Sequence, residues 1–144
     1  MGILDTIDRE GRFGEWLAAL AMLAIGAVLA LPGDTMMFSE WWALRDFGLR
    51  EVTIGYGLGA IGGARMVALY VNGAWHRTPL LRGIGAVIGM MVFSGLALAS
   101  AWAWCAGLVS APDMNFAFYL IFALADLRGV YRAGMDHDAA RFST

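Results

Sequence analysis

The chain has 144 residues, of which 60% are hydrophobic and 15% are charged, and its formal net charge is -2. Soluble domains are closer to half apolar and a quarter charged, so this composition argues against a soluble fold. The near-neutral charge gives no indication of nucleic-acid binding, and the single cysteine, Cys105, excludes an internal disulfide framework.

Four long apolar blocks organise the chain. A bilayer core of about 30 Å needs about 20 apolar residues per helix, and each block approaches that length. The blocks lack the alternation of barrel strands, so they are predicted to be helices. The sequence therefore predicts an all-α polytopic membrane protein, with residues 1–144 forming one transmembrane four-helix domain. The predicted spans are residues 16–31, 52–71, 80–105 and 114–131, with Phe13 completing the first and residues 132–144 forming a cytoplasmic tail.

A polar N-terminal region with charges of both signs precedes the first span. Its residues Ile3, Leu4 and Ile7 share one helical face, which predicts a short helix on the membrane surface. Glu15, the last of these charges, is predicted to lie at the membrane boundary. The first span ends at Pro32-Gly33, because proline breaks helices and glycine suits a helix terminus.

The connection between the first and second spans, residues 36–50, has an amphipathic pattern. Apolar residues recur at helical spacing and charged residues interrupt them, as in helices that lie in the headgroup layer. The segment is therefore predicted to be an interfacial helix with Trp41 and Trp42 at the membrane surface. An ordinary long loop is the alternative.

Glycines mark the second and third spans. Gly55, Gly59 and Gly63 lie four residues apart on one helix face, and Gly85 and Gly89 form a similar pair on the third span. Such flat surfaces let helix backbones approach closely, which matters in lipid because lipid supplies no hydrophobic drive for association. Two interpretations stay open: packing between spans two and three, which a short turn joins, or self-association of subunits.

Two charges are predicted to lie at membrane depth. Arg65 is about 9 Å from the inner end of its span, and Asp126 has a similar depth in the fourth span. A charge within a span is costly unless it is paired, snorkels to the surface or faces water. We hypothesise an ion pair between Arg65 and Asp126, with Arg82 as the alternate partner of the acid. Separate snorkelling and an ion or proton pathway are the other interpretations.

The distribution of the arginines predicts the orientation of the protein in the membrane. With four spans, one side of the membrane holds most of the arginines, and the other side holds only Arg45 and Arg50. The positive-inside rule therefore places both termini in the cytoplasm. The arginines on the cytoplasmic side are Arg9, Arg12, Arg77, Arg82, Arg128, Arg132 and Arg141. The predicted tryptophan anchors are Trp16 and Trp75 at the inner boundary, and Trp41, Trp42, Trp102 and Trp104 at the outer one.

The sequence contains no catalytic signature. His76 lies in a turn and His137 in the polar tail, and the topology separates both from Cys105. No phosphate loop, zinc pattern or nucleophile motif is present. We therefore expect a protein that is not an enzyme and has no catalytic residues, no metal ligands and no cofactor.

Two segments carry a resemblance to a known class of proteins. The turn VNGAWHRTPLLR, residues 71–82, and the segment FALADLRGVYR, residues 122–132, resemble parts of small four-span membrane proteins of tailed bacteriophages and prophages. The resemblance implies a bacterial inner membrane and a phage-linked role. Holin-like lesion formation and exclusion of a second phage are the two roles that it suggests.

Two functional hypotheses follow from these observations. The first is a non-enzymatic inner-membrane protein that self-associates or joins an assembly of other membrane subunits, phage-linked and holin-like. The second is a small transporter or channel subunit with a polar path through Arg65 and Asp126. In both, the expected partners are the lipid bilayer and other membrane subunits, and nucleic acid is not expected.

Overall fold

A computed structural model describes residues 13–37, 41–74 and 79–142 of the chain. Every regular element in these ranges is helical, which confirms the all-α prediction for the part described. The helices are α1 (Phe13–Ala30), α2 (Trp42–Asp46), α3 (Glu51–Ala74), α4 (Pro79–Cys105) and α5 (Met114–Phe142), and a 3-10 turn at Thr35–Met37 precedes α2.

Three of the helices are long and apolar enough to cross a membrane. They are α1 over its full length, α3 from Glu51 to Val71 and α4 from Leu80 to Cys105. The α5 helix is not one of the three, because Asp126 and Arg128 interrupt its apolar run. The three apolar helices indicate that the protein associates with membranes.

The helices begin and end where local chemistry satisfies their terminal backbone groups. Gly48 and Gly107 have φ of 74° and 72°, a conformation that side chains with a Cβ rarely adopt. At the end of α4, the Gly107 and Leu108 amides donate to carbonyls of the last turn at 3.0 Å, which is a Schellman motif. At the start of α5, the Asp113 carboxylate accepts the Phe116 amide at 2.8 Å.

The α1 and α3 helices form the N-terminal helix pair, in which backbone lies against backbone. A Cβ atom on Gly26 would lie 2.7 Å from the Gly55 carbonyl oxygen, and one on Gly62 would lie 2.6 Å from the Leu23 amide nitrogen. Such separations are shorter than side-chain contacts allow, so only glycine fits at these positions. Close backbone approach is how helices associate where the hydrophobic effect is weak.

The α4 and α5 helices form the C-terminal helix pair, which packs through side chains. Phe93 and Phe122 stack with ring centroids 5.0 Å apart, and Phe93 is fully buried. Closer to the α3–α4 turn, Gly83 and Ala133 bring the two helices together, and a Cβ on this glycine would lie 3.4 Å from the alanine methyl. The two helix pairs then share one core, which contains Met22, Leu29, Leu58, Phe93, Leu96 and Tyr119.

This arrangement differs from the packing expected between spans two and three. The α3 and α4 helices meet only sparsely, and α3 lies along α1 instead. Closeness in sequence does not set the angle between α3 and α4. The glycines Gly26, Gly55 and Gly62 match α3 to α1, and this surface fit determines the partner.

The connection between α1 and α3 is less regular than the predicted interfacial helix. Its described residues form the 3-10 turn and the short α2, and Trp41 lies buried in the core beside Leu96 and Tyr119. The Trp41 side chain therefore packs against the protein itself. The Thr35 amide donates to the Glu51 carboxylate at 3.1 Å, which fixes the connection to the start of α3.

The last helix is longer than the predicted span. It continues beyond residue 131, through most of the predicted tail, to Phe142. The sequence there is polar, but it has no proline and includes Ala133, Met135, Ala139 and Ala140, which favour helix. The polar residues after residue 131 ended the predicted span, but the helix continues through them.

Candidate functional site

The candidate site is a cluster of buried charges that takes one residue from each long helix. Glu15 of α1, Arg65 of α3, Arg82 of α4 and Asp126 of α5 are all buried, and Asp126 has no exposed surface. We call these four residues the buried charge cluster. Their formal charges cancel, so the bundle encloses two positive and two negative groups without a net charge.

The Arg65–Asp126 contact is a two-point ion pair. The guanidinium donates from Nη1 to Oδ2 at 3.1 Å and from Nη2 to Oδ1 at 2.5 Å. Two parallel hydrogen bonds between a guanidinium and a carboxylate fix orientation as well as distance. The structure therefore joins the two charges that the sequence analysis placed at matching depth on separate helices.

The second contact joins Glu15 to Arg82, with 3.4 Å between Oε1 and Nε. Arg82, predicted as an alternate partner for Asp126, contacts Glu15 instead. The Glu15 side chain, predicted to lie at the membrane boundary, is buried against the other helices of the bundle. A helical periodicity in α1 carried the missing signal, since its buried residues are Glu15, Ala18, Ala19, Met22, Gly26 and Leu29.

Glycines provide the space for these charged groups. A Cβ on Gly89 would overlap both the Arg65 guanidinium and the Asp126 carboxylate. A Cβ on Gly129 would lie 3.4 Å from the Glu15 side chain, tighter than most side-chain contacts. Gly89 therefore serves the charge cluster and not close helix packing, and Gly85 lies beside the Arg65 side chain in ordinary contact.

The two ion pairs cross between the helix pairs. Arg65 belongs to the N-terminal pair and binds Asp126 of the C-terminal pair. Glu15, also of the N-terminal pair, binds Arg82 of the C-terminal pair. Within each helix pair, the contacts described above are close backbone approach or apolar packing. Buried ion pairs are demanding in geometry, so this crossed arrangement specifies how the two helix pairs register against each other.

The other predicted residues lie in varied surroundings. Gly55 is in the α1 interface, and a Cβ on Gly59 or Gly63 would meet no atom within 4 Å. Gly59 nevertheless faces Gly26 through its backbone. Of the predicted anchors, Trp102 and Trp104 are exposed and Trp16 is partly buried.

Several predicted features fall outside the described part of the chain. The N-terminal surface helix, Trp75, His76 and Arg77 lie there, as do the side chains of Trp42 and His137. Within the described part, no three His, Cys, Asp or Glu side chains come together as a metal site would require, and Cys105 is exposed.

Comparison with known protein families, with curated proteins and with solved structures finds no match for this chain.

Proposed function

We propose that the protein crosses the bacterial inner membrane four times, with both termini in the cytoplasm. The α5 helix is long enough for a fourth span, and pairing with Arg65 lowers the cost of carrying Asp126 into lipid. The connection between α1 and α3 then lies at the outer headgroup layer, where exposed Met37 and Phe47 would contact lipid. The excess of arginine on the side of the termini supports this orientation.

Fusions to reporter proteins test the topology. Green fluorescent protein attached after Thr144 should fluoresce, and alkaline phosphatase at the same position should be inactive, because that end faces the cytoplasm. Alkaline phosphatase inserted after Ser110, between α4 and α5, should be active. Active phosphatase at the C-terminus would contradict the four-span arrangement.

We propose further that the protein is a non-enzymatic membrane module that self-associates or joins an assembly of membrane subunits, with a phage-linked, holin-like role. The observation that carries this is the closure of the buried charges within one chain: Asp126 has no exposed surface and binds Arg65 through both oxygens. Charges that are paired in this way hold helices together at a lower cost than unpaired charges in lipid.

The outer face of α3 supports association with further subunits. Gly57 has no atom within 4 Å of a built Cβ, and Thr53, one turn earlier, is exposed. Small residues on a lipid-facing surface allow a second helix to approach closely. The resemblance of residues 71–82 and 122–132 to phage membrane proteins supports the holin-like role.

A small transporter or channel subunit is the second candidate. One observation favours it: Arg65 and Arg82 border a cleft between α3 and α4, so part of the charge cluster lies near a surface opening. Asp126 does not border that cleft, whereas the hypothesis of a transport path requires both Arg65 and Asp126 to line it.

Induced expression in bacteria distinguishes the candidates. With a membrane-potential dye, a holin-like protein should produce abrupt depolarisation and growth arrest at a defined time after induction. A transport subunit should instead change uptake or resistance for a particular solute without general depolarisation. The Gly62→Val variant, in which the α1–α3 contact is weakened, serves as a destabilised control. Depolarisation by that control equal to the unmodified protein would show a non-specific effect of overproduction.

A further inference from the structure

We propose that the cleft between α3 and α4 binds a single-chain amphiphile with a carboxylate head, that is, a fatty acid. The cleft forms because α3 and α4 diverge after their connection, while each packs closely on a different neighbour. Its volume is about 250 Å³. This binding site is separate from the proposed membrane assembly and does not depend on it.

The walls of the α3–α4 cleft match an extended hydrocarbon chain. They are mostly apolar and include Ile61 and Leu69 of α3 with Leu81 and Ile84 of α4. The distance along α3 from Ile61 to Leu69 is about 12 Å at a rise of about 1.5 Å per residue. The cleft therefore runs far enough along α3 to take a single extended hydrocarbon chain.

The charge of the lining selects the head group. Both Arg65 and Arg82 border the cleft, and Glu15 is the one acid among its described lining residues. Asp126 lies fully buried behind Arg65 and outside the lining, so the Arg65–Asp126 pair presents its positive end to the cleft. Although both guanidinium groups are mostly buried, an anion at this wall is attracted by the positive end of the Arg65–Asp126 pair, and guanidinium groups match the planar shape of a carboxylate.

Binding of radiolabelled dodecanoate to the full-length protein in phosphatidylcholine nanodiscs tests the proposal, with empty nanodiscs as the background. We expect saturable binding at one site per chain. Unlabelled dodecanoate should displace the label at a free concentration at least tenfold lower than dodecanol or dodecyltrimethylammonium, which have the same chain without the negative charge. Equal displacement by dodecanol would overturn recognition of the head group, and tenfold better displacement by dodecyl phosphate would overturn the assignment to a carboxylate.

Two substitutions on α3 separate binding in the cleft from general partition into lipid. Ala64 lines the cleft, and Ala60, one turn earlier, is exposed but does not line it. Ala64→Phe should fill the cleft and weaken dodecanoate binding at least tenfold, and Ala60→Phe should leave binding unchanged. Neither change alters an ion pair, and equal thermal stability of the two variants would show that both are folded. Unchanged binding in Ala64→Phe, or an equal loss in both variants, would refute the site.

Discussion

Replacing Asp126 by leucine should destabilise the protein by about 3–5 kcal/mol, the usual cost of leaving one member of a buried ion pair without the other. The Arg65 guanidinium donates twice to this carboxylate, and the carboxylate has no exposed surface. A leucine of similar size would leave the positive charge enclosed, with no acceptor in its place. The expected result is a large fall in the midpoint of unfolding in a denaturing-detergent titration, together with low yield of folded protein.

A double variant tests whether the lost pairing is the cause. Arg65→Met combined with Asp126→Leu removes both charges, and apolar replacement of a buried pair is often neutral for stability. The double variant should therefore recover most of what the single variant loses. Asp34→Leu removes an exposed acid and should change stability little. A double variant less stable than Asp126→Leu would argue that the two charges do not act as a pair.

Replacing Gly62 by valine should have the second large effect. A Cβ at this position would lie 2.6 Å from the Leu23 amide nitrogen and 3.0 Å from the Ala19 carbonyl oxygen. These are backbone atoms that cannot turn aside, so α1 and α3 must separate along their length. Forced overpacking costs about 1–3 kcal/mol and occasionally more, and we expect the upper part of that range.

The adjacent glycine provides a matched control. Gly63 lies in the same turn of α3, but a Cβ built there meets no atom within 4 Å. Gly63→Val should therefore change the free energy of unfolding by no more than about 0.5 kcal/mol. Both variants can be compared in one denaturing-detergent titration. Similar losses of stability in the two would mean that the α1–α3 contact is not as close as the structure has it.

The helices could be predicted from the sequence because their signals are local. Long apolar blocks, glycine after α4 and Pro79 at the start of that helix all lie within the segments that they define. Spacing also placed Gly55 on a packing face. It could not identify α1 as the partner, because the matching glycine, Gly26, is an isolated residue in its own helix. Shape complementarity between two surfaces is not visible in either sequence segment alone.

The charge cluster was only partly accessible to sequence reasoning. Arg65 and Asp126 could be matched because two helices that run in the same direction carry them at similar depth. Glu15 was assigned to the membrane boundary because it directly follows a polar stretch. Its position on the small-residue face of α1, with Ala18 and Ala19, is the stronger indication of burial. Burial of that face can be recognised only when the helices that pack against it are known.

The crossed pairing has a consequence for how the protein is made. Ribosomes synthesise α1 and α3 before α5, so these two helices emerge while Asp126 has not yet been synthesised. During that interval, Arg65 has no Asp126 to bind, and the half-finished chain carries polar groups that lipid solvates poorly. An insertase or chaperone that shelters polar groups in nascent membrane proteins would protect this intermediate, and proteases that survey the bilayer would find it a substrate. Release from both would come only when α5 is in place and Asp126 binds Arg65.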